Sequence, residues 1–248
     1  MTSEILSKIA SLPQKSKDVV GRITKKLIDG LGDNLVSIIL FGSAAEGEFI
    51  EGKSDINLLI VLLRARAIDL NIIIDVGRKF IGKGLAIPLI FEKDHVSTSL
   101  DTFPIEFSDM KRRHIVLFGE DPLEKAVIEG KNLRYQCERE LKSMLVNLRR
   151  GFLQTDGKGS NIQSVLENSL SSLLAACRGL IWLSGITPPD ETAAILGAVR
   201  ETYSTSTASM ERVWELRQGK SGATATLEMI FDDYTSEITR LIGIVDRL

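Results

Sequence analysis

Hydrophobic positions follow different spacings on the two sides of residue 130. Before it, short apolar runs bounded by turn residues alternate with helical patterns, which is typical of a mixed α/β domain. The runs predict β-strands at residues 35–41, 56–63, 85–91 and 103–107. One or two helices around Pro13, within residues 5–31, are predicted to lead into the first strand.

After residue 130 the apolar positions recur every three or four residues, as in amphipathic helices. They predict helices at residues 131–154, 162–183, 191–203, 208–217 and 226–248. This is typical of an antiparallel bundle. We therefore predict an α+β protein, in which residues 1–125 form a mixed sheet with flanking helices and residues 126–248 form an all-α antiparallel helical bundle.

Composition limits the classes of partner. The 248 residues include 31 Lys or Arg and 33 Asp or Glu, a net charge of −2, so we expect no extended nucleic-acid surface. No run of eighteen uncharged apolar residues predicts a membrane span, and the first residues do not resemble a signal peptide. We expect a cytoplasmic protein in which Cys137 and Cys177 are buried thiols, a single disulfide bridge being the alternative.

Candidate chemistry is concentrated in the segment VSIILFGSAAEGEFIEGKSDINLLIVL. An apolar strand ends at Gly42 and Ser43, a polar loop follows, and Ser54 and Asp55 open a second apolar strand. Glycine lets the backbone approach a phosphate closely, and serine with N–H groups at a helix N-terminus donates hydrogen bonds to phosphate oxygens. Because residues two apart on a strand share a face, Asp55 and Asn57 are predicted to point toward the same ligand.

This order of features resembles the nucleotidyltransferase superfamily that includes DNA polymerase β and the aminoglycoside nucleotidyltransferases. Its pattern is a strand, Gly-Ser, roughly a dozen residues, then Asp-x-Asp or Asp-x-Glu on the next strand. Gly42, Ser43 and Asp55 match it. The resemblance implies a nucleotidyltransferase-type sheet in the first half. In architecture the second half resembles the helical domain of the aminoglycoside enzymes.

The resemblance also implies site roles. Gly42, Ser43 and Ser54 would bind the phosphates of a nucleoside triphosphate, first of all ATP. Two Mg²⁺ ions would be held by Asp55, by residue 57 and by a third carboxylate from a later strand, for which Glu106 in FPIEF is the candidate.

Asn57 departs from the family pattern, which has an acid at this position. An amide offers one neutral carbonyl oxygen, so the site keeps two carboxylates rather than three and we expect weaker metal binding. Glutamates in the loop between the two strands are candidate substitutes. They are Glu46, Glu48 and Glu51.

Two further groups have both a functional and a structural interpretation. Glu138 and Glu140 on the first bundle helix are candidates for the base that deprotonates an acceptor hydroxyl. The alternative is a solvated face of ion pairs four residues apart. The basic cluster of residues 111–114 is predicted either to contact the triphosphate or to form a solvated turn.

Three hypotheses follow. The first is Mg²⁺-dependent transfer of a nucleoside monophosphate from an NTP to a small hydroxyl-bearing or protein acceptor. The second is a catalytically impaired or inactive nucleotidyltransferase-fold protein with a nucleotide-binding, regulatory or interaction role, because the second metal carboxylate is replaced by Asn57. The third is an interaction module that forms a homodimer through the apolar stripe of the last helix.

Overall fold

The computed structural model describes residues 2–46, 49, 55–156, 159–220 and 226–248. The chain divides into two compact units. The first comprises Met1–Asp101 and Glu106–Ile128, and the second comprises Thr102–Ile105 and Glu129–Leu248. A mixed sheet with flanking helices and a separate set of helices confirm the predicted fold class.

The first unit is built on a four-stranded mixed sheet of order β3-β2-β1-β4. Its strands are β1 (Leu35–Phe41), β2 (Asn57–Leu62), β3 (Leu89–Glu92) and β4 (His114–Gly119). β1 is antiparallel to β2 and β4, and β2 is parallel to β3. The carboxyl end of β1 therefore lies at the same end of the sheet as the first residues of the other three strands.

Helices cover both faces of this sheet. They are α1 (Thr2–Lys8), α2 (Gln14–Leu31), α3 (Ser43–Glu46), α4 (Ala67–Gly77), α5 (Lys93–Thr98) and α6 (Pro104–Arg112). Residues of α1, α2 and α4 pack on the face that carries Leu58 and Ile60, and residues of α5 and α6 pack on the face that carries Leu59 and Val61. Burial on both faces explains why β2 is apolar without alternation.

The strand predicted at residues 103–107 is wrong, because α6 begins at Pro104. Proline suits the first helical position, where its missing N–H is not needed. Phe107 and Met110, three residues apart, are buried against the sheet. The remaining strand is β4, which we did not predict. The strand predicted at residues 85–91 begins only at Leu89, after Pro88, which has no N–H to donate to a sheet.

The second unit is a bundle of helices. They are α7 (Gly130–Leu153), α8 (Gly159–Leu183), α9 (Thr192–Tyr203), α10 (Ala208–Arg217) and α11 (Leu227–Val245). α11 contacts α7, α8 and α10, and Tyr234, Ile238 and Leu241 of its apolar stripe are fully buried within the chain. The stripe thus packs within one chain, and the homodimer hypothesis stays a prediction.

A buried carboxylate joins two helices of this unit. Glu237 of α11 is 3% exposed and accepts hydrogen bonds from the backbone N–H groups of Ser209 and Met210. It also accepts from the hydroxyls of Ser206 and Ser209. The first N–H groups of a helix have no partner within it, so Glu237 caps α10 from the neighbouring helix. This role is structural.

Both cysteines, Cys137 and Cys177, are buried thiols outside any disulfide, as the sequence indicates. Burial raises the pKa of the Cys177 thiol to about 12. Among the helices described, none has both the length and the apolar character needed to cross a membrane.

Candidate functional site

β1 is followed by Gly42, whose backbone conformation favours glycine. Gly42 has φ +69°, in the left-handed region where a Cβ is strained. The N–H of Ala45 donates to the Gly42 carbonyl at 2.8 Å and closes the turn into α3. α3 begins at Ser43 and has four residues, so few peptide dipoles add at its N-terminus. The structure thus describes Gly42 and Ser43 of the expected phosphate loop.

Part of the loop between β1 and β2 lies outside the described residues. This applies to Ser54, which we expected at the phosphates, and to Glu48 and Glu51. It also applies to the side chain of Glu46. The roles suggested for these residues stay predictions.

Asn57 lies against Gly42. Phe41 and Asn57 are direct partners in the antiparallel pair of β1 and β2. A Cβ placed on Gly42 would lie 3.1 Å from the Nδ2 atom of Asn57. The same Nδ2 donates a long hydrogen bond of 3.4 Å to the carbonyl oxygen of Asp55. The missing side chain of Gly42 thus makes room for an amide where the family pattern has a carboxylate.

Asp55 is exposed just before β2 begins. Because side chains alternate along an extended chain, it shares the face of Asn57. The structure therefore brings Gly42, Asp55 and Asn57 to one end of the sheet.

The parallel neighbour of β2 supplies the next side chain at this end. β2 and β3 are paired through Leu59 and Leu89, whereas Ile56 is bridged to Leu85, so residues 86–88 stand opposite Asn57 and its neighbour on β2. Leu85 and Pro88 both line a pocket with residues of α2 and α4, and Ile87 between them does not, from which we infer that Ile87 turns toward the side that carries Asn57. Ile87 is 78% exposed. The segment opposite Asn57 thus offers the hydrocarbon side chains of Ala86 and Ile87, neither of which has a donor atom for a metal.

Glu106 is not part of a strand. It lies exposed in the first turn of α6, whereas its assignment as third ligand depended on a strand beside Asp55 and Asn57. No strand register therefore aligns Glu106 with Asp55 and Asn57, and a metal-binding role for Glu106 stays a prediction. The sequence reasoning missed Ile87, and the signal that identifies it is the pairing of β2 with β3.

The side chains described at this end of the sheet do not by themselves fit a pair of divalent ions. Asp55 is a carboxylate, Asn57 turns its amide nitrogen toward Gly42, and Ile87 has no donor atom. Two-metal phosphoryl-transfer sites need oxygen ligands of high negative charge. Over the described part of the chain, no group of three or more His, Cys, Asp or Glu residues is arranged to hold a metal ion.

Two members of the basic cluster are used within the fold. The Lys111 ammonium donates to the carbonyl of Ala126. The His114 ring lies with Nδ1 2.9 Å from the Met110 carbonyl oxygen and Nε2 3.0 Å from a carboxylate oxygen of Asp121. Acceptors on both sides fix this ring, which gives it a structural role at the start of β4.

The two candidate bases have different surroundings in the helical unit. Glu138 accepts hydrogen bonds from Lys142 at 2.5 Å and Arg134 at 3.2 Å, and the bond from Lys142 lowers its pKa. A carboxylate with a lowered pKa is a weaker base. Glu140 lines a cleft of about 350 Å³ between α7 and α8, together with Asn147. A base role for either residue stays a prediction.

No family model matches the chain, and no curated protein matches it. Among solved structures, the chain is similar to the spectinomycin adenyltransferase AAD(9) from Enterococcus faecialis, crystallised with ATP and spectinomycin. The TM-score is 0.58 at 17% sequence identity, and the match covers 90% of this chain and 98% of the other. The chain therefore has the nucleotidyltransferase-type fold with a C-terminal helical bundle.

Proposed function

We propose that this protein binds a nucleoside triphosphate at the Gly42 end of its sheet, with ATP as the first candidate. We further propose that it does not transfer a nucleotide from the bound triphosphate. The observation that carries this proposal is the side-chain set at that end. Asp55 is acidic, whereas Asn57 is an amide and Ile87 is a hydrocarbon. Support for nucleotide binding comes from the retained Gly42 and Ser43 and from the fold shared with a protein crystallised with ATP.

The lack of transfer follows from the chemistry of the reaction. Enzymes of this class act mainly by positioning the reacting groups and by neutralising charge on the transferring phosphate. With Asp55 as the one carboxylate among the three positions, little is left to hold cations beside that phosphate. A nucleotide bound here would stay intact. It would either regulate the protein or stabilise a form of the protein that binds a partner.

Transfer of a nucleoside monophosphate to a small hydroxyl-bearing or protein acceptor is the competing function. The likeness to an adenyltransferase crystallised with ATP and spectinomycin favours it. In that case Gly42 and Ser43 would hold phosphates, and Asp55 would be the main acidic residue. The loop glutamates beyond Ser43 would then have to supply the negative charge that Asn57 and Ile87 lack.

Two measurements on the same protein separate these functions. Calorimetric titration with ATP measures binding, and pyrophosphate release from ATP and Mg²⁺ measures transfer in the presence of spectinomycin and a panel of other hydroxyl-bearing small molecules. We expect ATP binding and pyrophosphate release no faster than that of Asp55→Ala. Asp75→Ala, which removes an exposed carboxylate on α4, is the matched control.

Release by the wild type that Asp55→Ala abolishes and Asp75→Ala retains would establish transfer instead. Failure to bind ATP with or without Mg²⁺ would contradict both functions.

A further inference from the structure

We propose that the nucleotide site of this protein works without a resident pair of divalent ions, and that Asn57 and Ile87 are the two residues responsible. This inference rests on the proposed function and concerns how that site meets the phosphates. It depends on the contacts of Asn57, on the direction of Ile87 and on the charge that remains beside them.

The amide of Asn57 is placed as a hydrogen-bond donor. Its Nδ2 lies beside Gly42 and donates to the Asp55 carbonyl. An amide nitrogen carries two N–H donors, and the contact with Asp55 uses one of them. Nitrogen protons of this kind repel a cation and attract a phosphate oxygen. Position 57 is thus suited to direct phosphate contact.

Ile87 removes a second position from any metal site. It belongs to the segment opposite Asn57 that leads into β3, does not line the pocket on the other face of the sheet, and is 78% exposed. Exposure of a large aliphatic side chain is unfavourable in water, so this residue does not serve the core. At the site, Ile87 places a hydrocarbon side chain, which has no atom that could bind a cation, where a metal ligand would be needed.

The change in charge links the two residues. Three carboxylates at one strand end repel a triphosphate unless cations lie between them, because like charges a few ångströms apart repel strongly. With Asn57 and Ile87 in place of acids, Asp55 is the charged side chain of this set. The same two residues that remove the ligands for a metal therefore also remove the repulsion that makes a metal necessary.

The first test compares ATP affinity in excess EDTA with that in excess Mg²⁺, by calorimetry. For the wild type we expect dissociation constants within about threefold of each other. For N57D/I87E we expect EDTA to weaken binding more than about tenfold, because the new carboxylates repel the triphosphate when no cation is present. N57D/L89E is the matched control, since it adds the same charge two residues farther along the strand.

The second test uses Mn²⁺ alone and needs no nucleotide. Electron paramagnetic resonance measures free Mn²⁺, which we expect to be unchanged by the wild type and reduced by N57D/I87E. Mn²⁺ binding by the wild type that is lost in E46Q/E48Q/E51Q would overturn the inference, because the loop would then supply the metal ligands.

The outcomes distinguish a failure of metal-independent binding from a failure of the proposed nucleotide binding itself. Wild-type ATP binding that disappears in EDTA overturns the inference and leaves the proposed function standing. Absence of ATP binding in both conditions contradicts the proposed function. The wild-type measurements decide between these outcomes even if N57D/I87E folds poorly.

Discussion

At the residue scale, Gly42 and Asn57 form a contact that can be tested by adding one methyl group. Gly42→Ala places a Cβ 3.1 Å from the Asn57 amide nitrogen and puts alanine in a left-handed conformation. We expect this backbone strain to lower the free energy of unfolding by about 1–2 kcal/mol. We also expect ATP affinity to fall about tenfold, because the amide must move. Urea unfolding and calorimetry measure the two effects.

Gly82→Ala is the control for backbone strain. Gly82 has φ +73°, and no neighbouring atom lies within 4 Å of the added Cβ. It should lose similar stability and keep its ATP affinity. Equal ATP affinity in both variants would show that the contact with Asn57 has no part in binding.

A second residue-scale prediction concerns pH. The hydrogen bond from Arg66 lowers the pKa of Asp69, which is 3% exposed in the first turn of α4. Because the folded pKa lies below the unfolded one, ionised Asp69 stabilises the fold above the unfolded pKa, and this contribution is lost as pH falls through the folded pKa. Asp69→Asn should therefore lower the urea midpoint at pH 7, and the deficit should shrink at about pH 3.

Asp75→Asn provides the comparison on the same helix. Asp75 pairs with Arg78 while 69% exposed, so its ion pair contributes little at any pH. A deficit of Asp69→Asn that stays constant from pH 7 to acid would contradict the assigned role of the Asp69 charge.

At the element scale, the close approach of α7 and α8 depends on small residues. A Cβ on Gly179 of α8 would lie 2.5 Å from the Sγ atom of Cys137 on α7 and 3.5 Å from a Leu133 methyl carbon. We expect Gly179→Ala to lower the free energy of unfolding by about 1–3 kcal/mol, because the added methyl overpacks the helix interface. Urea denaturation measures it.

Gly197→Ala on α9 separates packing from helix propensity. The nearest atom to its added Cβ is the Arg200 Nη2 at 3.7 Å, an ordinary contact. Alanine is favoured over glycine in a helix interior, so this variant should gain up to about 1 kcal/mol. If both variants changed stability alike, helix propensity rather than the α7–α8 approach would govern Gly179.

At the scale of the whole molecule, the predictability of the fold depended on the length of each pattern. The bundle helices were predicted to within a few residues because an apolar stripe over ten or more residues has one interpretation. The segment around Ile105 alternates over only five residues, too few to distinguish a strand from the start of α6. Here the burial of Phe107 and Met110 on the sheet decides the structure.

The candidate site was predictable only where chain order determines position. Gly42 and Asn57 come together because a short loop joins two antiparallel strands, which the sequence shows. Ile87 could not be identified in this way. Its place opposite β2 depends on the irregular register between β2 and the segment before β3 and on the packing of Pro88, and both arise from tertiary packing.

The central claim is that ATP is bound intact at the Gly42 end of the sheet. The most direct measurement is a crystal structure of the protein grown with ATP and Mg²⁺. The account predicts an unbroken triphosphate beside Gly42 and Ser43, with a phosphate oxygen within hydrogen-bond distance of Asn57 Nδ2 and no pair of ions on Asp55. ATP bound elsewhere, or two metal ions bridging the phosphates to the protein, would contradict it.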